Sequence, residues 1–179
     1  MRPRDVIAFV NQCLSIAESQ YQVTASMIQR AEVEYSRTRR DAMESEWRSA
    51  FPSLRKLLDF LAAFGNEFID FVELYKSERA TELAYAICAE VRTGLDPLYA
   101  SAKSTVEGGA GDEAEFIKDV VSLLYRVGAI GVKVQANTRF LYSHLDIPLL
   151  EKVHIGDETR IRVHPILHAS FHLRTREKV

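Results

Sequence analysis

Residues 112–131 read DEAEFIKDVVSLLYRVGAIG, and this stretch decides the fold. Asp112 followed three positions later by Glu115 is a capping-box-like helix start. Phe116, Val120, Leu123, Leu124 and Val127 then recur at helical spacing and form one inward stripe. Gly128 stops the helix, because glycine closes a helical C-terminus at no steric cost. Beyond Gly131 the pattern changes to alternation. Val132–Ala136 and Thr138–His144 read as the two arms of a ribbon turning at Asn137. Thr159–His164 reads as a further half-buried strand, with Ile161 and Val163 inward and Arg160 and Arg162 outward. A helix, a glycine stop and a short β ribbon make a winged-helix-like unit over 112–179.

Upstream the periodicity is helical throughout. Pro3 and Asp5 suit a first helical turn, and Val6, Phe9, Val10, Cys13, Leu14 and Ala17 predict one apolar stripe. Thr24 caps a long second helix reaching about Ala50, whose charged face interleaves Arg37, Arg39 and Arg40 with Glu32, Glu34, Asp41, Glu44 and Glu46. Pro52 starts a third helix, apolar on more than one side and the expected centre of the core. A fourth helix is predicted from Asn66 through Phe68, Ile69, Val72 and Tyr75, and a fifth from Ser77 to Gly94. Three glycines in the four positions 108–111 cannot hold a helix cheaply and predict a linker. The expected architecture is therefore mainly α: a helical bundle over 1–107, a Gly-rich linker over 108–111, and the winged-helix-like unit with a small antiparallel β ribbon over 112–179.

Composition narrows the function. Of 179 residues, 47% are hydrophobic and 27% charged, and the formal net charge of −2 offers no global attraction to nucleic acid or an anionic membrane. Residues 1–107 hold 13 Lys/Arg against 16 Asp/Glu, and residues 108–179 hold 10 against 9, so neither part is a basic module. Cys13 and Cys88 make neither a disulfide framework nor a CxxC pair. No apolar run approaches a membrane span, and the charged start does not read as a signal peptide; a cytoplasmic location is expected.

Three segments together resemble a known family. They are Arg2-Pro3-Arg4-Asp5-Val6-Ile7-Ala8-Phe9-Val10-Asn11, then Leu123-Leu124-Tyr125-Arg126-Val127-Gly128-Ala129-Ile130-Gly131, then Val163-His164-Pro165. Their order and spacing resemble the region C-terminal to the nucleotide domain in bacterial P-loop ATPases of the signal-transducing (STAND) or defence-associated type. The resemblance implies an Arg-Pro-Arg element just past an ATPase core, a helical region, and a winged-helix-like unit closed by a Val-His-Pro strand. The chain departs from those ATPases in having no GxxxxGK[ST] phosphate loop, since Gly108–Gly111 is followed by no Lys-Ser/Thr.

The expected function is a non-enzymatic interaction or relay module with no cofactor. Its partner would be a protein, such as a nucleotide-binding domain in another chain, or a second copy of itself. Arg2, Arg4 and Asp5 are the candidate partner contacts. In the wing, Lys133, Arg139, Arg160 and Arg162 could meet a partner or a nucleic-acid backbone; the alternative is thus a small winged-helix DNA-binding regulator. An unbroken basic stripe through those four residues would favour DNA. The outward side of the 112–127 helix argues against it, because Asp112, Glu113, Glu115 and Asp119 would be repelled by phosphates. His164, His168 and His172 at i, i+4, i+8 could chelate zinc on one continuous helix, but no acidic or Cys ligand lies nearby in sequence, so neither a metal site nor a catalytic residue is expected. No GxSxG nucleophile motif occurs.

Overall fold

The computed structural model describes residues 3–90, 96–108 and 112–174, with backbone alone at Pro3, Arg4 and Glu90. The described elements, in order, are α1 Pro3–Ile16, α2 Ala25–Trp47, α3 Leu54–Ala62, β1 Phe68–Asp70, α4 Phe71–Tyr75, α5 Glu78–Glu90, α6 Tyr99–Glu107, α7 Asp112–Arg126, β2 Ile130–Lys133 and β3 Arg160–Val163. Short 3-10 turns at Lys152–His154 and Pro165–Leu167 flank β3. The chain is mainly helical with one small antiparallel sheet, as its periodicity predicts. Of the expected linker, residues 109–111 lie outside the described residues.

The helix α7 is the axle. Phe116, Ile117, Val120, Val121, Leu124 and Tyr125 on it are fully buried. One hydrophobic cluster joins them to Leu57, Leu58 and Leu61 of α3, Ile87 of α5, and Ile130, Val132, Ile161 and Val163 of the sheet. Residues on both sides of 108–111 therefore share this core. The end of α7 is closed as expected. Gly128 takes φ +81°, and Ala129 N–H donates to Leu124 O (3.0 Å) while Gly128 N–H donates to Tyr125 O (3.0 Å). Those two bonds are the Schellman pattern, and they turn the chain straight into β2.

Strand order is β1-β3-β2, antiparallel throughout, with Ile69 opposite Ile161 and Val132 opposite Ile161 from the other side. Two expectations are corrected here. Phe68–Asp70 is a strand, not the start of a fourth helix: Ile69 is buried between half-buried Phe68 and exposed Asp70, and the segment pairs with β3. Only Phe71–Tyr75 is helical. The second ribbon arm at 138–144 is also absent as a strand. Leu141 alone bridges Val132, and the partner that fills the ladder beside β2 is β3. After β3, the segment from Pro165 makes one 3-10 turn.

Polar side chains fasten the elements where apolar ones do not. Asp96, 5% exposed, accepts from Ser53 N–H and Leu98 N–H, both at 2.8 Å, and so ties the start of α3 to the start of α6. Ser36 on α2 donates to Ile166 O (2.6 Å) and accepts from Ser170 N–H (3.0 Å). Tyr125 and Ser122 on α7 donate to Ile147 O (2.7 Å) and Leu150 O (2.8 Å), pinning the long β2–β3 connection.

The first helix is the outlier. It packs on α2 through Phe9 against Tyr35, ring centroids 5.6 Å apart, and buries Cys13 and Ala17. None of its residues belongs to the core cluster. The single predicted stripe is split: Phe9, Cys13 and Ala17 face inward, while Val6, Ile7, Val10 and Leu14 are exposed.

Candidate functional site

The four cations expected in a wing, Lys133, Arg139, Arg160 and Arg162, do not make a stripe. Arg160 of β3 pairs with Asp70 directly opposite on β1 (3.2 Å), and Arg162 pairs with Glu67 (2.8 Å). Arg139 pairs with Asp146. Three of the four are thus held by carboxylates, and only Lys133, half-buried at the end of β2, has no ion pair among the described residues. Acidic groups interrupt the cationic surface wherever the β ladder and loop bring it together. The Arg37–Arg40 cluster is neutralised in the same way, by Glu34, Asp5, Glu44 and Asp59.

Of the three residues expected to meet a partner at the N-terminus, Arg2 and the Arg4 side chain lie outside the described residues. Asp5 is 7% exposed and lies 3.8 Å from Arg39 Nε on α2. It is a fastener between α1 and α2. The surface that α1 presents outward is apolar instead: Val6, Ile7, Val10 and Leu14 are 45–61% exposed. Residues 6–17 contain no charged side chain at all. A surface helix normally carries charge on its outer side, so this helix is apolar on two faces and covered on one.

A cleft of about 390 Å³ opens where α1, α2, the end of α7, the 142–145 loop and the 164–166 turn converge. Asp5 of α1, Arg39, Met43 and Trp47 of α2, Arg126 and Gly128 at the end of α7, and Tyr142, His144, His164 and Ile166 line it. Sequence reading singled out Asp5 and His164 from this set, but for other roles. It did not bring the set together, because five separate stretches supply it.

The geometry of the far wall is set by Gly131. A Cβ there would stand 2.5 Å from Tyr142 Cε1, so only glycine lets the Tyr142 ring lie against β2. Asp146 fixes the loop that carries this tyrosine. Its carboxylate accepts the Tyr142 N–H (2.9 Å) and pairs with Arg139, and the backbone hydrogen bond with the guanidinium's help holds its pKa below the usual carboxylate range. Tyr142, His144 and His164 then form a three-ring cluster with centroids 5.8–6.1 Å apart.

His164 is the most perturbed group. Burial first, then the neighbouring His144 and His168, push it down to about 4. It is therefore neutral near pH 7. Its Nδ1 accepts Ile166 N–H (3.2 Å), which leaves the proton on Nε2. His168 spends its Nε2 on Val163 O (2.9 Å), and His172 sits at φ +53° in the turn after it. The i, i+4, i+8 histidines thus lie on a strand end and a turn, not on one helix face. No group of three or more potential metal ligands forms among the described residues.

On the cation side, Arg126 is held over the Phe51 ring (5.4 Å to the centroid), and Phe51 in turn stacks on Trp47 (5.4 Å, 26°). Arg126 has no carboxylate partner among the described residues. No described helix is long and apolar enough to cross a membrane.

Comparison with known proteins yields one similarity. A family model described as the FunZ-associated C-terminal helical domain matches residues 1–44, which span α1 and most of α2. No curated protein and no solved structure matches the chain. The matched segment carries the outward apolar face of α1.

Proposed function

We propose that this chain is a non-enzymatic interaction and relay module, an accessory portion of a bacterial P-loop ATPase system that works through protein contacts. The observation that carries the reading is the outward face of α1: four exposed large apolar side chains in a stretch, residues 6–17, without a charged side chain, inside the one segment similar to a domain described as an associated, C-terminal one. Exposed contiguous apolar surface on a helix marks a contact site more often than chance. A nucleotide-binding domain in another chain or segment is the partner the reading expects.

The second contact surface is the β2–β3 connection. The strand order β1-β3-β2 with a long excursion between β2 and β3 supports a winged-helix-like reading of this part. Leu145, Ile147, Leu149 and Val153 on that excursion are 49–80% exposed, while its backbone is fastened to α7 by Tyr125 and Ser122. The wing thus offers apolar groups on a fixed frame, and its arginines are already paired. That combination favours a protein over a phosphate backbone, because a paired arginine must lose its carboxylate before it neutralises a phosphate.

The test is a photo-crosslinking residue placed at Val10 in the cells that make the protein, with a control at the exposed Glu82 of α5, away from both surfaces. The reading expects a crosslink from position 10 to a polypeptide bearing a phosphate-loop nucleotide domain, and none from position 82. Crosslinks to nucleic acid, or salt-sensitive binding of the purified chain to random duplex, would replace it with the DNA-regulator alternative.

A further inference from the structure

We infer that the cleft between α2, the end of α7 and the 142–145 loop is a ligand site for a small aromatic carboxylate. The inference stands apart from the partner contact above, which uses the opposite, outward face of α1. Its volume of about 390 Å³ lies within the range of ordinary small-molecule sites. Its lining suits a flat ring, since Trp47, Tyr142 and His144 contribute aromatic side chains and Met43 and Ile166 contribute apolar ones.

Two donors in the cleft have no hydrogen-bond partner among the described residues. His164 keeps its proton on Nε2, and that N–H has no acceptor among the described residues. The Ser143 hydroxyl is likewise unpartnered among them. Arg126 is the decisive group. Arg126 is exposed at the rim of the cleft, its guanidinium lies over the Phe51 ring, and no carboxylate among the described residues neutralises it, so its planar fork of donors is available to a ligand. The other lining guanidinium, Arg39, is already balanced by Asp5. One uncompensated fork beside an aromatic wall matches one carboxylate on one ring.

Two features oppose an anion. Glu46 lies on the rim, but it is exposed and solvated. The carbonyl end of α7 also points here, yet Leu123 O, Leu124 O and Tyr125 O already accept from Val127, Ala129 and Gly128 N–H. A charge-assisted guanidinium–carboxylate pair outweighs such a residual dipole.

Trp47 is the sole tryptophan of the chain, so its indole N–H gives one reporter resonance. The full chain would be titrated with phenylacetate, phenylacetamide and acetate, followed by that resonance and by calorimetry. Phenylacetate should bind saturably at one site and shift the indole signal. Phenylacetamide should bind about tenfold more weakly, and acetate without measurable heat, since ring and charge are both needed. Arg126→Gln should lower phenylacetate affinity about tenfold while its circular dichroism stays native. If that variant does not fold, Tyr142→Ala removes one ring wall and should weaken acid and amide alike. Equal binding of acid and amide, binding that ignores Arg126→Gln, or no saturable binding of phenylacetate would overturn the proposal.

Discussion

Helices α1 and α7 are nearly the same length, 14 and 15 residues, and both repeat apolar residues at helical spacing. Their fates differ completely. On α7 the apolar side chains are buried among three helices and a sheet, and charged residues occupy what remains. On α1 half of the apolar side chains face solvent and no charge interrupts them from residue 6 to 17. Periodicity thus says that a helix has something to bury. It does not say whether the burying surface lies in the same chain. The contrast separates a helix buried by its own chain from one whose outer face that chain leaves uncovered.

The largest effect separates the two helices directly. Leu124→Ala empties a fully buried position and should cost about 2–5 kcal/mol in urea unfolding, whereas Leu14→Ala should change stability by about 0.5 kcal/mol or less. Equal losses would mean that the outer face of α1 is packed internally.

The next effect lies where the two regions meet. His164 has a folded-state value near 4 against about 6.5 when unfolded, so the unfolded chain binds the extra proton between those values. Stability should therefore be level above about pH 7 and fall as pH drops from about 6.5 to 4, by about 3 kcal/mol at most. His164→Gln should flatten that slope in pH-dependent unfolding. A slope that survives the substitution would assign it to other groups.

A smaller change sharpens the wall of the cleft. In Gly131→Ala the new methyl displaces the end of the Tyr142 side chain, not backbone. The cost should be about 1 kcal/mol, with a clear change in the Tyr142 ring resonances. The smallest effect belongs to the wing. Asp70→Asn removes the exposed partner of Arg160 and should cost less than about 1 kcal/mol, less again in high salt. A large loss there would show the ladder to be electrostatically held.

Much of the helical frame was legible from residues alone, and for physical reasons. The capped start at Asp112, the stripe from Phe116 to Val127 and the stop at Gly128 are local rules, and each describes its own neighbourhood. The strand at 68–70 was not legible, because Phe68, Ile69, Val72 and Tyr75 fit helical spacing as well as a short strand, and the decision is made by β3 about ninety positions downstream. The missing 138–144 arm has the same origin: its alternation is real, but Tyr142 and Leu141 are used to cover Gly131 and bridge Val132, not to build a ladder. The cleft was invisible for a different reason. Its lining comes from positions near 5, 39–47, 126–128, 142–145 and 164–166, and no local pattern links them. His164 and Asp5 were noticed for their chemistry, but what they do depends on the neighbours that folding supplies.

The most direct measurement combines stability and partner capture in one variant, Val6→Ser with Val10→Ser and Leu14→Ser. If the outer face of α1 exists for contact, the variant should melt within a few degrees of the parent and lose the crosslink from a probe at Ile7 to the nucleotide-domain partner. A melting temperature lowered as far as that of Leu124→Ala, or a crosslink that persists undiminished, would contradict it.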